Sequence, residues 1–314
     1  MTLHRLVEQY IEFRQSLGER CQTNGCILRA FARTAGLAVP AAEVRTAQVD
    51  AFLAGAGPIT SAWHIKHTAL RGFYAYAVSR DYVAVAPLPT VIPKRPPCFV
   101  PYIYTREELR SLLLATDLYQ RNRSCVEPTT VRTIVLLLYG SGLRVREAIA
   151  LSRIDVDLEA SVLTIRQTKF FKSRLVPVGT QLRQALARYA HRHRSHRLVR
   201  EDDVPFFTTR TGAPMKQSTL EDIFQRVRQH AGVRRSESAR YQPRLHDLRH
   251  TFAVHRLTSW YRQGLDVQRL LPHLSIYLGH AHLAATQVYL SMTPELLGEA
   301  SARFERYARE ECSP

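Results

Sequence analysis

Tyr277-Leu278-Gly279-His280, followed by Thr286-Gln287-Val288-Tyr289, is the stretch on which the reading of the chain turns. Two chemistries fit it. A tyrosine on an apolar helix face is usually a core residue whose hydroxyl finds one partner. A phenol with an imidazole close by is also a nucleophile with a group waiting for it. The choice for Tyr289 rests on the segments upstream.

Leu245-His246-Asp247-Leu248-Arg249-His250-Thr251-Phe252-Ala253 comes first, working back from that stretch. His246 and Arg249 are three apart and share a helix face; His246 and His250, four apart, do so too. His-x-x-x-His can hold zinc, but the metalloprotease pattern wants Glu after the first His, where Asp247 stands. The other reading is an imidazole and guanidinium gripping an anion. Further back, an apolar helix from Val131 to Tyr139 leads into Ser141-Gly142-Leu143-Arg144-Val145-Arg146-Glu147. Glycine breaks the helix and Arg144 starts the next, with Glu147 three residues on. That is either a structural ion pair or a guanidinium held rigidly for an anion, which its fork geometry suits. Val162-Leu163-Thr164-Ile165 and Leu175-Val176-Pro177-Val178 are β-like runs. Gln167-Thr168-Lys169-Phe170-Phe171-Lys172-Ser173-Arg174 between them makes a β-hairpin with a basic tip. Arg144, Lys169, His246 and Arg249 together favour an anion over a metal cation. The basic run from His191 to Arg197 reads as a solvated helix end.

The first ninety residues read as a helical bundle. Leu3, Leu6, Val7, Tyr10, Ile11 and Leu17 recur at helical spacing before Gly18. Ile27, Leu28, Phe31, Ala32 and Ala35 repeat the pattern and Gly36 closes it. Val49, Phe52 and Leu53 mark a third helix. A fourth runs from Ser61 to Ser79, with Trp63, Leu70, Phe73, Tyr74, Ala77 and Val78 as its apolar positions. His64, Lys66, His67, Arg71 and Arg80 decorate it, either as a solvated face or as groups that follow a phosphate backbone. Pro87, Pro89, Pro93, Pro96, Pro97 and Pro101, with Lys94 and Arg95 among them, read as a stiff basic linker. Thr105-Arg106-Glu107-Glu108 is a capping box that opens the second domain. The boundaries are 1–86, 87–101 and 102–314, and the whole is mainly α with a small antiparallel β-sheet.

The chain has 314 residues, enough for about two domains. Its 44 Lys and Arg against 27 Asp and Glu leave a net charge of +17. A folded protein this basic repels itself, so an anionic partner explains the balance, nucleic acid first. A membrane is a poor second: no basic amphipathic anchor stands out, and Ile134 to Leu138 is among the longest apolar runs. Met1-Thr2-Leu3-His4-Arg5 is no signal peptide. The 5 cysteines are scattered, with no C-x-x-C pair, which points to a reducing cytoplasm and no structural zinc.

These boxes, in this order, resemble the tyrosine recombinase (phage integrase) family over essentially the whole chain. The family carries Gly-Leu-Arg-x-x-Glu, a hairpin lysine, His-x-x-Arg-His, and Leu-Gly-His followed nine residues later by Tyr. Here they are Gly142 to Glu147, Lys169, His246 to His250, Leu278-Gly279-His280 and Tyr289. The hairpin glycines common in the family are replaced by Thr168 and Phe170, which leaves Lys172 as an alternative to Lys169. The spacing of Lys172-Ser173-Arg174-Leu175-Val176-Pro177 favours Lys169. Arg249 and His280 lie 31 residues apart, more than is usual. The extra length, which includes Trp260 to Asp266, resembles the transposon-associated recombinases more than the chromosome-dimer-resolving type.

The resemblance implies an N-terminal helical core-binding (SAM-like) domain and a C-terminal α+β catalytic domain. It implies DNA strand exchange at specific recombination sites of a mobile element, in the cytoplasm on the nucleoid, with no metal or nucleotide cofactor. Tyr289 attacks a phosphodiester and forms a 3′-phosphotyrosyl linkage. Arg144 and Arg249 bind the nonbridging oxygens, His280 adds a donor, and Lys169 protonates the departing 5′-oxygen. His246 takes the phenol proton or donates to the phosphate, and Glu147 orients its neighbours. Four protomers would assemble around two duplexes, exchanging C-terminal helices marked by Leu297, Ala300, Phe304 and Tyr307, with sister recombinases as possible partners. Three alternatives remain from the residues alone. They are a DNA-binding protein with an inactive site, a type IB topoisomerase-like activity, and a zinc hydrolase built on His246 and His250.

Overall fold

The computed structural model describes residues 1–19, 21–55, 59–96, 100–118, 124–166, 173–193, 204–235, 239, 241–291 and 294–311, the side chains of 294, 295, 303 and 306–311 excepted. The chain divides into two compact units, Met1–Phe99 and Val100–Pro314.

In the first unit, α1 (Leu3–Ser16), α2 (Gln22–Ala35), α3 (Thr46–Ala54) and α4 (Ser61–Ser79) pack around one core. Leu3, Leu6, Leu28, Phe31, Leu70, Phe73 and Tyr74 are fully buried in it. Edge-on contacts such as Tyr10 on Phe73, with ring centroids 5.8 Å apart, add direction to that burial. Gly36 closes α2 at φ +106°, a conformation that costs glycine little.

Two readings of this unit change. Leu17 is 63% exposed, because it caps α1 after the helix has ended and lies off its apolar stripe. Only part of the basic decoration of α4 faces solvent freely. His64 and His67 are buried, and the His67 ring stacks on Trp63 at 5.1 Å. Lys66 donates to the Phe52 carbonyl at 2.8 Å, and Arg80 lies over the Phe13 and Tyr76 rings. The reason is geometric: α4 is covered by α1, α2 and α3 at once, so its core face is broad enough to take in His64 and His67. Arg71 and Arg80 keep exposed places.

In the second unit, α5 (Arg106–Leu118) starts at the capping box. Thr105 Oγ1 accepts from the Glu108 N–H at 3.1 Å, and Glu108 Oε2 accepts from the Thr105 N–H at 2.8 Å. The central helix, α6 (Pro128–Ser141), carries Pro128 in its first turn, where no N–H is needed. Val131, Ile134, Val135, Leu137 and Leu138 are all buried, against α5, α8 (Thr180–Arg192) and α10 (Asp247–Arg262). A helix apolar on this many sides belongs in the middle of its domain. After α6 come the short α7 (Val145–Ile149) and a three-stranded antiparallel sheet. Its strands are β1 (Val156–Asp157), β2 (Val162–Ile165) and β3 (Arg174–Pro177). In the β2–β3 hairpin Val162 faces Pro177 and Ile165 faces Arg174. α9 (Gln217–His230) precedes α10. The chain then turns through Asp266, whose carboxylate accepts from the Arg269 N–H at 3.1 Å and caps α11 (Val267–Leu278). Trp260 to Asp266, part of the extra length noted between Arg249 and His280, form the end of α10 and the turn into α11. The short α12 (Ala284–Gln287), a 3-10 turn (Val288–Ser291) and α13 (Pro294–Glu311) complete the unit. Among the described residues no helix is long and apolar enough to cross a membrane.

Candidate active site

Two helix ends, far apart in sequence, build the floor of the site. α6 stops at Gly142 (φ +62°) and α11 stops at Gly279 (φ +68°), both in the left-handed region that glycine tolerates. Neither has room for a side chain. A Cβ on Gly142 would sit 2.5 Å from the Phe252 ring, and one on Gly279 would sit 2.8 Å from the Arg174 guanidinium. Helix ends leave carbonyls without partners, and here arginines satisfy them. Arg249, from the first turn of α10, donates to Gly142 O at 2.7 Å and Leu278 O at 2.8 Å. Arg144, which caps α7, donates to Gly279 O at 2.8 Å and to Glu147 Oε1 at 2.7 Å. The two guanidinium groups are thus brought to one place by a shared pair of turns, although 105 residues separate them.

Glu147 holds this floor together. Its Oε2 accepts from the Arg144 backbone N–H at 3.0 Å, and the carboxylate also receives two hydrogen bonds from Arg174, at 3.1 and 2.7 Å. Burial by itself would raise the Glu147 carboxyl. The hydrogen bonds and charge of Arg174, with those of Arg144, outweigh it and hold the group at about 2. Arg174 further donates to Tyr277 O at 3.1 Å. It stands on β3 beside the buried Val176, on the core side of the strand. The period-2 alternation of a strand placed a guanidinium on that side. That was a signal for a buried carboxylate partner, and the sequence reading had not counted Arg174 among the site residues.

Tyr289 lies in the 3-10 turn and is 3% exposed. Its hydroxyl is 3.2 Å from Nδ1 of His250, and the charge of the nearby Arg249 guanidinium acts on the phenol. Burial raises the phenol above its ordinary range, while Arg249 and Arg144 pull it back. The His280 ring stacks on Tyr289 at 6.1 Å, and its Nδ1 is engaged with Thr286 Oγ1 at 2.7 Å. Burial, then the charges of Arg249 and Arg144, push His280 down to about 4. His246 begins α10 and stands edge-on to His250 at 5.2 Å. Its imidazole is lowered by burial and by Arg249. Arg144, His246, Arg249, His280 and Tyr289 therefore lie around one centre. Lys169 and Lys172 fall outside the described residues; Arg174, at that end of the hairpin, is bonded to Glu147. The phenol's imidazole partner is His250 and not His246, a role the sequence reading had not given it. As for zinc, no cluster of three or more His, Cys, Asp or Glu among the described residues is arranged to hold a metal ion.

Acid should destabilise this unit in two steps. His250 and His280 sit at about 4, below their ordinary 6.5, so the unfolded chain binds more protons between those values. Stability is full above 6.5 and is lost as pH falls toward 4. Glu147 sits at about 2 against 4.5, so its contribution is lost as pH falls through that lower window. Thermal unfolding across pH should show both. His280→Gln should flatten the upper step only, and an unchanged upper step would mean its imidazole is not held neutral.

Comparison with known proteins places the chain. The phage integrase family profile matches residues 105–295. The integrase/recombinase y4rB of Sinorhizobium fredii is 36% identical over 97% of this chain and 98% of its own length. The tyrosine recombinase XerC of Chlamydia caviae is 28% identical over 73% of this chain and 67% of its own. Among solved structures, the Tn1549 transposon integrase in complex with a circular-intermediate DNA superposes with a TM-score of 0.71. It covers 98% of this chain and 99% of that one at 17% identity, a shared fold. The chain belongs to the phage integrase family, the tyrosine recombinases that break and rejoin DNA.

Proposed function

We propose that this chain cuts and rejoins double-stranded DNA at specific recombination sites of a mobile element, through a 3′-phosphotyrosyl linkage on Tyr289. One observation carries the reading. The Tyr289 phenol is enclosed by a guanidinium and two imidazoles, with a second guanidinium fixed at Gly279 O beside them. Attack on a phosphodiester builds negative charge on its nonbridging oxygens. Arg144 and Arg249 each keep further N–H donors beyond those bound to carbonyls and Glu147, and fixed donors meet that charge without reorganising. His246 and His280 supply neutral N–H donors. Lys169, by its place in the family pattern, protonates the departing 5′-oxygen. The covalent linkage stores the bond energy, and a 5′-hydroxyl of a partner strand reverses the step. The helical first unit serves as the core-binding domain that clasps the duplex, and the enzyme works on the nucleoid in the cytoplasm. A suicide substrate nicked beside the cleavage position should leave a protein–DNA adduct that survives denaturant. Peptide mapping should place it on residue 289, and a linkage elsewhere would overturn the reading.

Assembly is read from α13. Its first turns dock in cis: Leu296 is fully buried and Glu299 pairs with Arg262 of α10 at 2.8 Å. The apolar positions one step round the helix point outward, with Leu297 51% and Phe304 71% exposed. A docked helix that leaves large apolar side chains in water has a second face to cover. In a tetrameric synapse a neighbouring protomer covers it. Leu297→Asp with Phe304→Asp should bind a single site and form the adduct within about twofold of the parent, since neither touches the site. It should fail to assemble synapses. Normal recombination by this variant would show that the outward face has no part in assembly.

A further inference from the structure

Of the three imidazoles around Tyr289, each is differently committed. His280 spends Nδ1 on Thr286 and presents its ring face to the phenol ring, at an interplanar angle of 26°. His246 meets His250 edge-on. His250 alone has a ring nitrogen in line with the reacting oxygen, at 3.2 Å. With the proton of the ring on Nε2, its Nδ1 lone pair faces the Tyr289 hydroxyl, which donates to it.

We propose that His250 is the base that removes the Tyr289 proton during attack on DNA and returns it on rejoining. The inference rests on Tyr289 being the nucleophile. The O–H bond of the phenol breaks as the bond from its oxygen to phosphorus forms, and the proton passes to His250 Nδ1. The bond from phosphorus to the 5′-oxygen breaks, and that oxygen takes a proton from the general acid. Rejoining runs the same transfers backward, so no oxidant, metal or further reactant is consumed.

The surroundings suit the task. His250 is turned toward Tyr289 from the 3-10 turn, with Arg244, His246, Asp247 and Arg249 around it from α10 and the turn before it. Burial, then His246, hold the imidazole down to about 4, so it is neutral and able to accept a proton at physiological pH. The Asp247 carboxylate, itself bonded to the Arg244 N–H at 2.9 Å, works the other way and favours the imidazolium once formed. The charge of Arg249 lowers the phenol and favours phenolate character as the proton leaves. The division of labour is therefore a cation for the oxygen and a neutral base for the proton, one residue apart on one helix.

The test is single-turnover cleavage of the nicked substrate by the full chain, at saturating protein, across pH. In His250→Asn the amide oxygen keeps an acceptor near Nδ1 but has no basicity. It should bind DNA as the parent does and cleave about 10²–10⁴-fold more slowly at neutral pH. Its rate should then climb about tenfold per pH unit, because a phenol with an ordinary value near 10 must ionise unaided. His246→Gln should leave the shape of the profile unchanged. A parental rate in His250→Asn, a uniform loss with a parental profile, or a profile that moves with His246→Gln instead, would each overturn the proposal. Should His250→Asn not fold, ¹⁵N resonances of the imidazoles decide. Tyr289→Phe should shift His250 Nδ1 and spare His246, and an unmoved His250 resonance overturns the proposal. An adduct that persists in Tyr289→Phe would sink the nucleophile assignment itself. No adduct there, with a parental His250→Asn profile, would sink this inference alone.

Discussion

Tyr289→Phe is expected to bind its DNA site with parental affinity and to form no covalent adduct at all. The substitution removes one oxygen from a ring that is 3% exposed and leaves the packing of the ring in place. The hydrogen bond to His250 at 3.2 Å is lost, which costs about 1 kcal/mol of stability. The fold should therefore survive, and the loss of cleavage can be read as loss of the nucleophile. Tyr277 is the other tyrosine close enough in sequence to be confused with it. Its hydroxyl donates to Pro177 O at 3.1 Å and its ring stacks on Phe252 at 5.7 Å. Burial pushes it up to about 12. It is tied into the packing between α11 and β3, so Tyr277→Phe should keep the adduct. A denaturing gel of both variants on the nicked substrate decides: an adduct from Tyr289→Phe, or its loss only in Tyr277→Phe, would reverse the assignment.

Arg249→Lys should lose about 10²–10³-fold in single-turnover cleavage at saturating DNA, the scale expected for one preorganised donor. The charge is kept; the fork is not. An ammonium cannot reach Gly142 O and Leu278 O together and still present a donor to a phosphate. One of the two helix ends then loses a hydrogen bond to a charged group, worth about 1.5–3 kcal/mol. Chemical denaturation should show a loss of that order alongside the slower cleavage. Burial and the neighbouring Arg144 already hold the Arg249 guanidinium down to about 10, which leaves it charged at neutral pH. A lysine in the same pocket starts from a lower value and risks losing its proton, which adds to the loss. If cleavage stays within a few-fold of the parent while stability falls, Arg249 only staples the two turns. Arg144 would then carry the phosphate alone.

The sequence by itself determined most of the elements and put forward candidates for the site. Apolar spacing located α4 over Ser61–Ser79, the Thr105 and Glu108 pair marked the start of α5, and the β-like runs located β2 and β3. The four boxes brought Arg144, Lys169, His246, Arg249, His280 and Tyr289 forward because local patterns recur with fixed spacing, and local spacing is what a sequence displays. Periodicity reports which face of an element is apolar, and is silent on what covers it. That is why His64 and His67 turned out to be interior and why Leu296, not Leu297, is the residue that docks α13. Partners separated by many residues were decided by tertiary structure alone. Arg249 finds Gly142 O, Arg144 finds Gly279 O and Arg174 finds Glu147 only when the ends of α6 and α11 meet. The choice of His250 over His246 as the partner of Tyr289 is of the same kind. Both imidazoles lie on one helix face, and only the path of the chain through the 3-10 turn sets which of them the phenol oxygen reaches.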